Sequence, residues 1–241
     1  MLIAMPSVIE DERRRAAEAA AQLVEPRMVV GLGTGRTAAY AVRALAERMR
    51  AGLRFAGVPT SEDTARLATE LGIPLRKPDD VPRIDLTIDG ADEIDPSLRL
   101  IKGAGGALTR ERMVARASLR LAIVADSEKR VTRLGERMRL PVEILPFAHA
   151  WTVRRLADLG LDPAPRMREG AWVTTDNGGL LVDCGLAAGA NLAGLDVALN
   201  SIAGVIDHGL FLTEATVAYV GVGHGVDVLT RPGGTSSTPA P

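Results

Sequence analysis

Three short loops hold the residues that could do chemistry, and each follows an apolar run. The first is GLGTGRTA, residues 31–38. Gly31, Gly33 and Gly35 let the backbone turn tightly and present its amides. Thr34 and Thr37 add hydroxyl donors, and a helical pattern starts directly after. Free amides, hydroxyls and a helix N-terminus together suit an anion, and a phosphate above all. Arg36 can add a charge-assisted contact. A dinucleotide fingerprint is excluded by spacing, because the third glycine comes one residue early for G-x-G-x-x-G. The next apolar run ends in Val58-Pro59-Thr60-Ser61, with no carboxylate for a ribose hydroxyl, and no Gly-Lys-Ser/Thr of a Walker loop occurs. A plain Gly-rich turn is the competing reading, but two threonines exceed what a turn needs. The second loop is TIDGADEIDP, residues 87–96, where Asp89, Asp92, Glu93 and Asp95 crowd a strand end. Carboxylates this close raise one another's pKa, which suits acid–base work or metal binding. The alternating pattern of an EF-hand loop is missing, and a solvated turn of capping acids explains the spacing equally well. The third loop is LIKGAGGALTRER, residues 100–112. Lys102 stands before a turn, Gly103 to Gly106, and puts a cation and N–H donors where an oxyanion could develop. Glu111 falls about one turn into the helix that follows. On spacing alone it reads as an exposed helix carboxylate.

Elements must hold these loops at one place. Apolar runs at 28–33, 53–58, 84–89 and 119–126 read as buried strands, and the segments 7–24, 37–50, 61–72 and 107–118 have helical periodicity. Ser7 and Ser61 are the expected N-caps, and Pro26 and Gly72 the stops. Strands alternating with helices of this length predict a doubly wound, largely parallel α/β sheet of Rossmann-like type. Ligands bind such sheets at the carboxyl ends of the strands, where all three loops fall. After Gly135 the rhythm changes to VEILPF, AWTVRRLADLG, PAPRMR, GLLVDC, LAGLDVALNSIAG and VIDHGLF. That is β-α-β-β-α-β, the pattern of a smaller, ferredoxin-like α+β domain. The expected division is 1–135 plus 208–230 for the α/β domain and 136–207 for the second. TVAYVGVGHGVDVL supplies one or two strands that rejoin the first sheet. Residues 231–241, rich in Pro, Gly, Ser and Thr, read as a disordered tail.

The chain has 241 residues, is 46% hydrophobic and 3% aromatic, and carries 29 basic against 30 acidic side chains. No basic field exists to hold nucleic acid or an anionic membrane, so any anion must be bound locally. A single cysteine, Cys184, rules out an intrachain disulfide, suits a reducing compartment and reads as a small buried apolar residue. No run is long and apolar enough to span a bilayer, and MLIAMPSVIEDERRR lacks the order of a signal peptide. A cytoplasmic protein is the expectation. His149, His208 and His224 lie outside the three loops and read as structural or surface residues. Trp151 and Trp172 read as packing residues of the second domain.

Taken in order, GLGTGRT, PTSEDTARLATELGI, DGADE, IKGAGGALTRE, ADSEKRVTRLG, LPVEILPF, TTDNGG and GLF resemble the type A ribose-5-phosphate isomerases over nearly the whole chain to about residue 230. The string DGADE, then Lys-Gly-x-Gly, then Thr-Arg-Glu is highly specific. The resemblance implies an aldose–ketose isomerase that interconverts ribose 5-phosphate and ribulose 5-phosphate without metal or organic cofactor. It implies Glu111 as the base moving a proton between C1 and C2, Asp89 as the acid of ring opening, and Lys102 with the following amides as the stabiliser of the enediolate. It implies contacts to substrate from Thr34, Gly35, Arg36 and Thr37, from Gly90, Ala91 and Asp92, from Gly103, Ala104 and Gly105, and from Lys129. Arg13 or Arg14 falls where the family can carry a basic residue near the phosphate. A homodimer or homotetramer is implied too, with the second domain as an interface. Three positions depart from the family's pattern: Arg36 stands for a Ser, Ala104 for a Gly and Arg112 for a Lys. Ala104 would be strained if its φ had to be positive.

Two other classes compete. A sugar-phosphate sensor would need only the phosphate loop, plus an output module that one N-terminal helix cannot supply. A coenzyme A transferase-like enzyme shares related architecture, but its glutamate motif is not evident.

Overall fold

The computed structural model describes residues 7–231; the segment 232–241, and with it nearly all of the expected disordered tail, lies outside the described residues. The chain runs α1 (Val8–Ala21), β1 (Val29–Leu32), α2 (Arg36–Arg50), β2 (Ala56–Pro59), α3 (Glu62–Glu70), β3 (Leu86–Gly90), β4 (Glu93–Ile94), β5 (Leu100–Ile101), α4 (Leu108–Arg116) and β6 (Leu121–Asp126). It continues through β7 (Leu140–Ile144), α5 (His149–Asp158), β8 (Asp162–Pro165), β9 (Met167–Arg168), β10 (Ala171–Trp172), β11 (Leu180–Gly185), α6 (Leu192–Asn200), β12 (Val205–His208), β13 (Leu210–Phe211), β14 (Val217–Val222) and β15 (Gly225–Thr230). The caps read from the sequence hold: the Ser7 hydroxyl accepts from Glu10 N–H at 3.3 Å and the Ser61 hydroxyl from Thr64 N–H at 3.1 Å. Each satisfies an amide that the helix itself cannot.

The main sheet has the order β15-β14-β6-β3-β1-β2, parallel except for the antiparallel edge strand β15. It is an α/β sheet of Rossmann-like type, with its inner strands buried on both faces and the edge strand β15 largely exposed. Strand β6 shows why its sequence is apolar throughout: Ala122 and Val124 pack with α1 and α2, while Leu121, Ile123 and Ala125 pack with Ala115 of α4 and with Phe211. Period-2 alternation here divides two apolar cores rather than core from water. Each fully buried aliphatic side chain contributes about 1.5–3 kcal/mol.

A second sheet has the order β12-β7-β11-β8, every pair antiparallel, with α5 and α6 as its crossovers. This is the split β-α-β-β-α-β arrangement expected of the segment after Gly135. The segment VIDHGLF departs from its reading as one strand. Val205–His208 pairs with β7, whereas Leu210–Phe211 pairs with β5 in a three-stranded sheet of order β13-β5-β4. Gly209 is where the chain crosses over: a Cβ there would collide with the Lys102 carbonyl. The two-residue strands β4 and β5 carry no periodicity, and the sequence did not announce them. Trp151 also departs from expectation. It is 66% exposed, while Trp172 packs against the second core and meets His149 edge-on at 5.3 Å. Cys184 is buried in that core. Among the described residues no helix is long and apolar enough to cross a membrane.

Candidate active site

The carboxyl ends of β1 and β3 and the loop after β5 meet at a cavity of about 280 Å³. Gly33 makes the meeting possible. A Cβ on it would fall on the Asp89 carboxylate, so only glycine lets β1 and β3 end side by side. The Thr34 N–H then donates to Asp89 Oδ1 at 3.1 Å. The Thr34 hydroxyl is held from the other side by Thr60 at 2.7 Å and Ser61 at 2.8 Å. Gly35 follows with φ +103°, a conformation that glycine adopts without strain, and caps α2. The first intrahelical bond of that turn is Ala39 N–H to the Gly35 carbonyl, at 2.9 Å. The amides before it therefore lack helical partners, and the dipole end faces the cavity. Thr34, Gly35, Arg36 and Thr37 all line it.

Two more cations join this end. Arg13 on α1 is buried and lines the cavity, fixed by Asp126 at 2.8 Å and by Glu10. Tyr40 donates to the same Glu10 at 2.7 Å, and that hydrogen bond, with Arg13, holds the Glu10 carboxyl below its usual value. Arg14 faces away, paired with Asp11 and Glu18 at the surface, so of the two arginines only Arg13 belongs here. Lys129, in the turn after β6, also lines the cavity. Asp126, which orients Arg13 across 113 residues of sequence, was not legible beforehand.

The opposite end is acidic and buried. Lys102 is 2% exposed, and its ammonium stands 3.0 Å from Asp89 Oδ2 and 3.4 Å from Glu111 Oε1 while donating to the Gly90 carbonyl. Burial opposes its charge, but Asp89, Glu111 and Asp92 outweigh that and hold its pKa above the ordinary value. Glu111 is 5% exposed, on the first turn of α4, and therefore is not the exposed carboxylate that spacing alone suggested. Burial, and then the negative charge of Asp89, push its carboxyl up to about 8 against the pull of Lys102. The residue lines the cavity, and its Oε2 is buried without a hydrogen-bond partner among the described residues. Asp92 Oδ2 accepts from Ala104 N–H at 2.8 Å, and Gly90, Ala91, Gly103, Ala104 and Gly105 complete the wall. Ala104 is not among the residues with positive φ, so its Cβ brings no backbone strain.

The acidic crowd of residues 89–95 is divided by the structure. Asp92 lines the cavity, and Asp89 is buried behind its wall, paired with Lys102 and accepting from the Thr34 amide. Glu93 instead accepts from the amides of Arg137 and Met138 at 2.6 and 2.8 Å, and Asp95 accepts from the amides of Ser97 and Arg99, both at 2.9 Å. Among the described residues no group of three or more His, Cys, Asp or Glu side chains is placed to hold a metal ion. Arg112, beside Glu111, points away and is locked by Asp207 and Glu214, both at 2.7 Å. His208 is buried against that cluster. Burial, then the charges of Arg112 and Arg116, depress its pKa to about 3.

A cavity with a cationic amide-rich end and a buried Lys–Asp–Glu end is built for a small phosphorylated molecule. Residues 56–225 match the family model described as ribose 5-phosphate isomerase A, phosphoriboisomerase A. The chain belongs to the ribose 5-phosphate isomerase A family. A ribose-5-phosphate isomerase A of Thermomicrobium roseum is 51% identical over 231 residues, 95% of this chain and 98% of that one. The solved ribose 5-phosphate isomerase A of Methanocaldococcus jannaschii superposes with a TM-score of 0.88 at 36% identity, over 92% of this chain and 99% of that one. A D-ribose-5-phosphate isomerase solved in complex with phospho-erythronic acid gives 0.90 at 36% identity, with the same coverage.

Proposed function

We propose that this isomerase interconverts ribose 5-phosphate and ribulose 5-phosphate through an enediolate, with Glu111 as the proton carrier. The observation that carries the assignment is Glu111: it lines the cavity, its Oε2 is buried without a partner among the described residues, and its carboxyl is pushed up to about 8. A base of that strength is matched to a neutral operating pH, where a general base is most effective.

The phosphate binds among the amides of Thr34 to Thr37, with Arg13, Arg36 and Lys129 supplying charge. No bond to it changes. Its binding energy fixes C1 and C2 against Glu111. Asp89 assists opening of the furanose, and Asp92 contacts a sugar hydroxyl. Glu111 takes the proton from C2, and the electron pair moves through C1 to leave negative charge on O1. The buried Lys102 and the amides of residues 103–105 hold that charge, fixed donors aimed where it develops. The hydroxyl proton passes from O2 to O1, and Glu111 returns its own proton to C1. One carboxylate serves both carbons because they are adjacent. Lys102 supplies the positive charge, so the steps call for neither metal nor organic cofactor.

We assign the α/β catalytic part to the chain up to 135 together with 208–230, and the ferredoxin-like part to 136–207. A cytoplasmic homodimer or homotetramer with no nucleic-acid partner is the accompanying assignment. The test is turnover of ribose 5-phosphate by purified protein in excess chelator, with E111Q alongside. Turnover in the wild type, and a loss of about 10²–10⁴ in kcat with KM little changed in E111Q, is the expected result. Ribose 5-phosphate that binds without turnover in the wild type would leave a sensor, not an enzyme.

A further inference from the structure

Arg166 lies between β8 and β9, beside the second sheet, yet it reaches the wall of the site. Its backbone is pinned on both sides, N–H to the Leu181 carbonyl and carbonyl from Val173 N–H, each at 2.9 Å. Its guanidinium grips the Asp183 carboxylate through two nitrogens, with Nε at 2.9 Å. Such a bidentate fork leaves little freedom. The remaining nitrogen, Nη1, donates to two successive carbonyls, Gly103 and Ala104, each at 3.0 Å. Those carbonyls belong to the loop that follows Lys102, and Arg166 does not itself line the cavity.

A trans peptide is planar, and its carbonyl and the next N–H point to opposite sides. Holding the Ala104 carbonyl outward therefore turns the Gly105 N–H inward. The same rule applies one residue earlier, where the Gly103 carbonyl faces Arg166 and the Ala104 N–H meets Asp92 at 2.8 Å on the cavity side. Gly105 has no Cβ, is exposed and lines the cavity, and its N–H has no acceptor among the described residues. Glycine is the residue least able to hold a peptide plane by itself, so this orientation needs an external clamp.

We propose that Arg166, braced by Asp183, is a positioning residue for the isomerisation, setting the 103–105 peptides so that the Gly105 amide meets the charge that develops on the enediolate. It acts through the loop and touches no substrate. The proposal rests on the isomerase reading above. It makes the small sheet part of the catalytic apparatus rather than an attachment to it.

The experiment compares wild type, R166M, R166K and E111Q in turnover of ribose 5-phosphate, and measures binding of phospho-erythronic acid and of inorganic phosphate. Met keeps the side chain's bulk and removes its donors. The expected result for R166M is a kcat lower by about 10- to 100-fold, as for a misplaced oxyanion donor, with KM within about twofold. Phospho-erythronic acid, whose carboxylate presents two oxygens as the enediolate does, should bind more weakly by about tenfold, while inorganic phosphate binds as before. R166K, whose ammonium can still reach a carbonyl, should recover part of the loss. A lower melting temperature with unchanged kcat, a rise in KM alone, or equal weakening of both ligands would reduce Arg166 to a structural brace and overturn the proposal. If R166M does not fold, D183N reads the same split. A wild type that turns over beside an unimpaired R166M ends this proposal only; a wild type without turnover ends the isomerase reading with it.

Discussion

The buried triad of Asp89, Lys102 and Glu111 makes a prediction about pH that runs in two opposite directions. Glu111 has an ordinary pKa of 4.5 and in the folded protein is pushed up to about 8. Charging it in the free enzyme therefore costs about 5 kcal/mol more than in water, and roughly a tenth of the molecules carry the base ionised at pH 7. Lys102, at 3.4 Å, attracts the carboxylate by about 5 kcal/mol at an effective dielectric near 20, so burial and the repulsion of Asp89 together exceed that attraction and leave the net cost. The profile of kcat/KM reports the free enzyme's base. It should rise close to tenfold per pH unit from about 6.5, above the range where the substrate's own phosphate titrates, and level off above about 8. D89N removes a negative neighbour and should move this limb to lower pH. K102M removes the cation and should move it up, so that no plateau is reached below about pH 9. A stopped assay of ribulose 5-phosphate across that range measures all three. A flat wild-type profile, or a shift of both variants in one direction, would refute the electrostatic account. Linkage supplies an independent readout. The folded protein holds the Glu111 proton more tightly than the unfolded chain does. The stability from this group is therefore full below about pH 4.5 and is lost as pH rises through about 8. E111Q should melt several degrees above wild type at pH 9, and the gap should close toward pH 5.

R36M should raise KM about threefold to tenfold with kcat unchanged, because Arg36 is an exposed charge at the phosphate end, and the difference should shrink at high salt; a fall in kcat would place Arg36 elsewhere in the reaction. His208, with a folded pKa depressed to about 3 against an ordinary 6.5, contributes stability above pH 6.5 that is lost as pH falls toward 3. Wild type should lose up to about 1.4 kcal/mol per pH unit from this group in that window. H208Q should show a shallower decline between pH 6 and 4 in urea unfolding, and equal slopes would contradict the burial argument.

Much of this site could be read from the chain because its parts are local. Gly33 to Thr37 and Asp89 to Asp92 each sit where an apolar strand stops, and such ends are legible in hydrophobic pattern alone; Lys102 to Glu111 follows β5, which is too short to show a pattern, and is marked by its own residue types. What stayed hidden depends on distant partners. Glu93 and Asp95 are the same kinds of residue as Asp89 and Asp92, and nothing in the spacing says that their carboxylates are taken up by backbone amides instead. Arg13 and Arg14 are neighbours in sequence, and only Asp126 decides which one turns inward. Trp151 lies in α5, which buries Thr152 and Leu156 instead and leaves the indole mostly in water. The break in VIDHGLF at Gly209 answers to Lys102, more than a hundred residues earlier in the chain.

The order of the main sheet sets the order of assembly. Strand β14 lies between β6 and β15, and its register pairs Gly221 with Asp126. Everything from β7 to β12 is threaded between those partners in sequence, while that inserted sheet is complete by His208, which pairs with Val142. During synthesis the small sheet can close before β14 has left the ribosome, whereas the host sheet must wait with the flank of β6 open. Contacts of such long separation are slow to form, and an open apolar strand is the template for wrong pairing. The topology thus lets the small sheet fold ahead of its host. Because its two ends emerge beside one another in β7 and β12, it draws the separated halves of the host together and shortens the search that β14 must make.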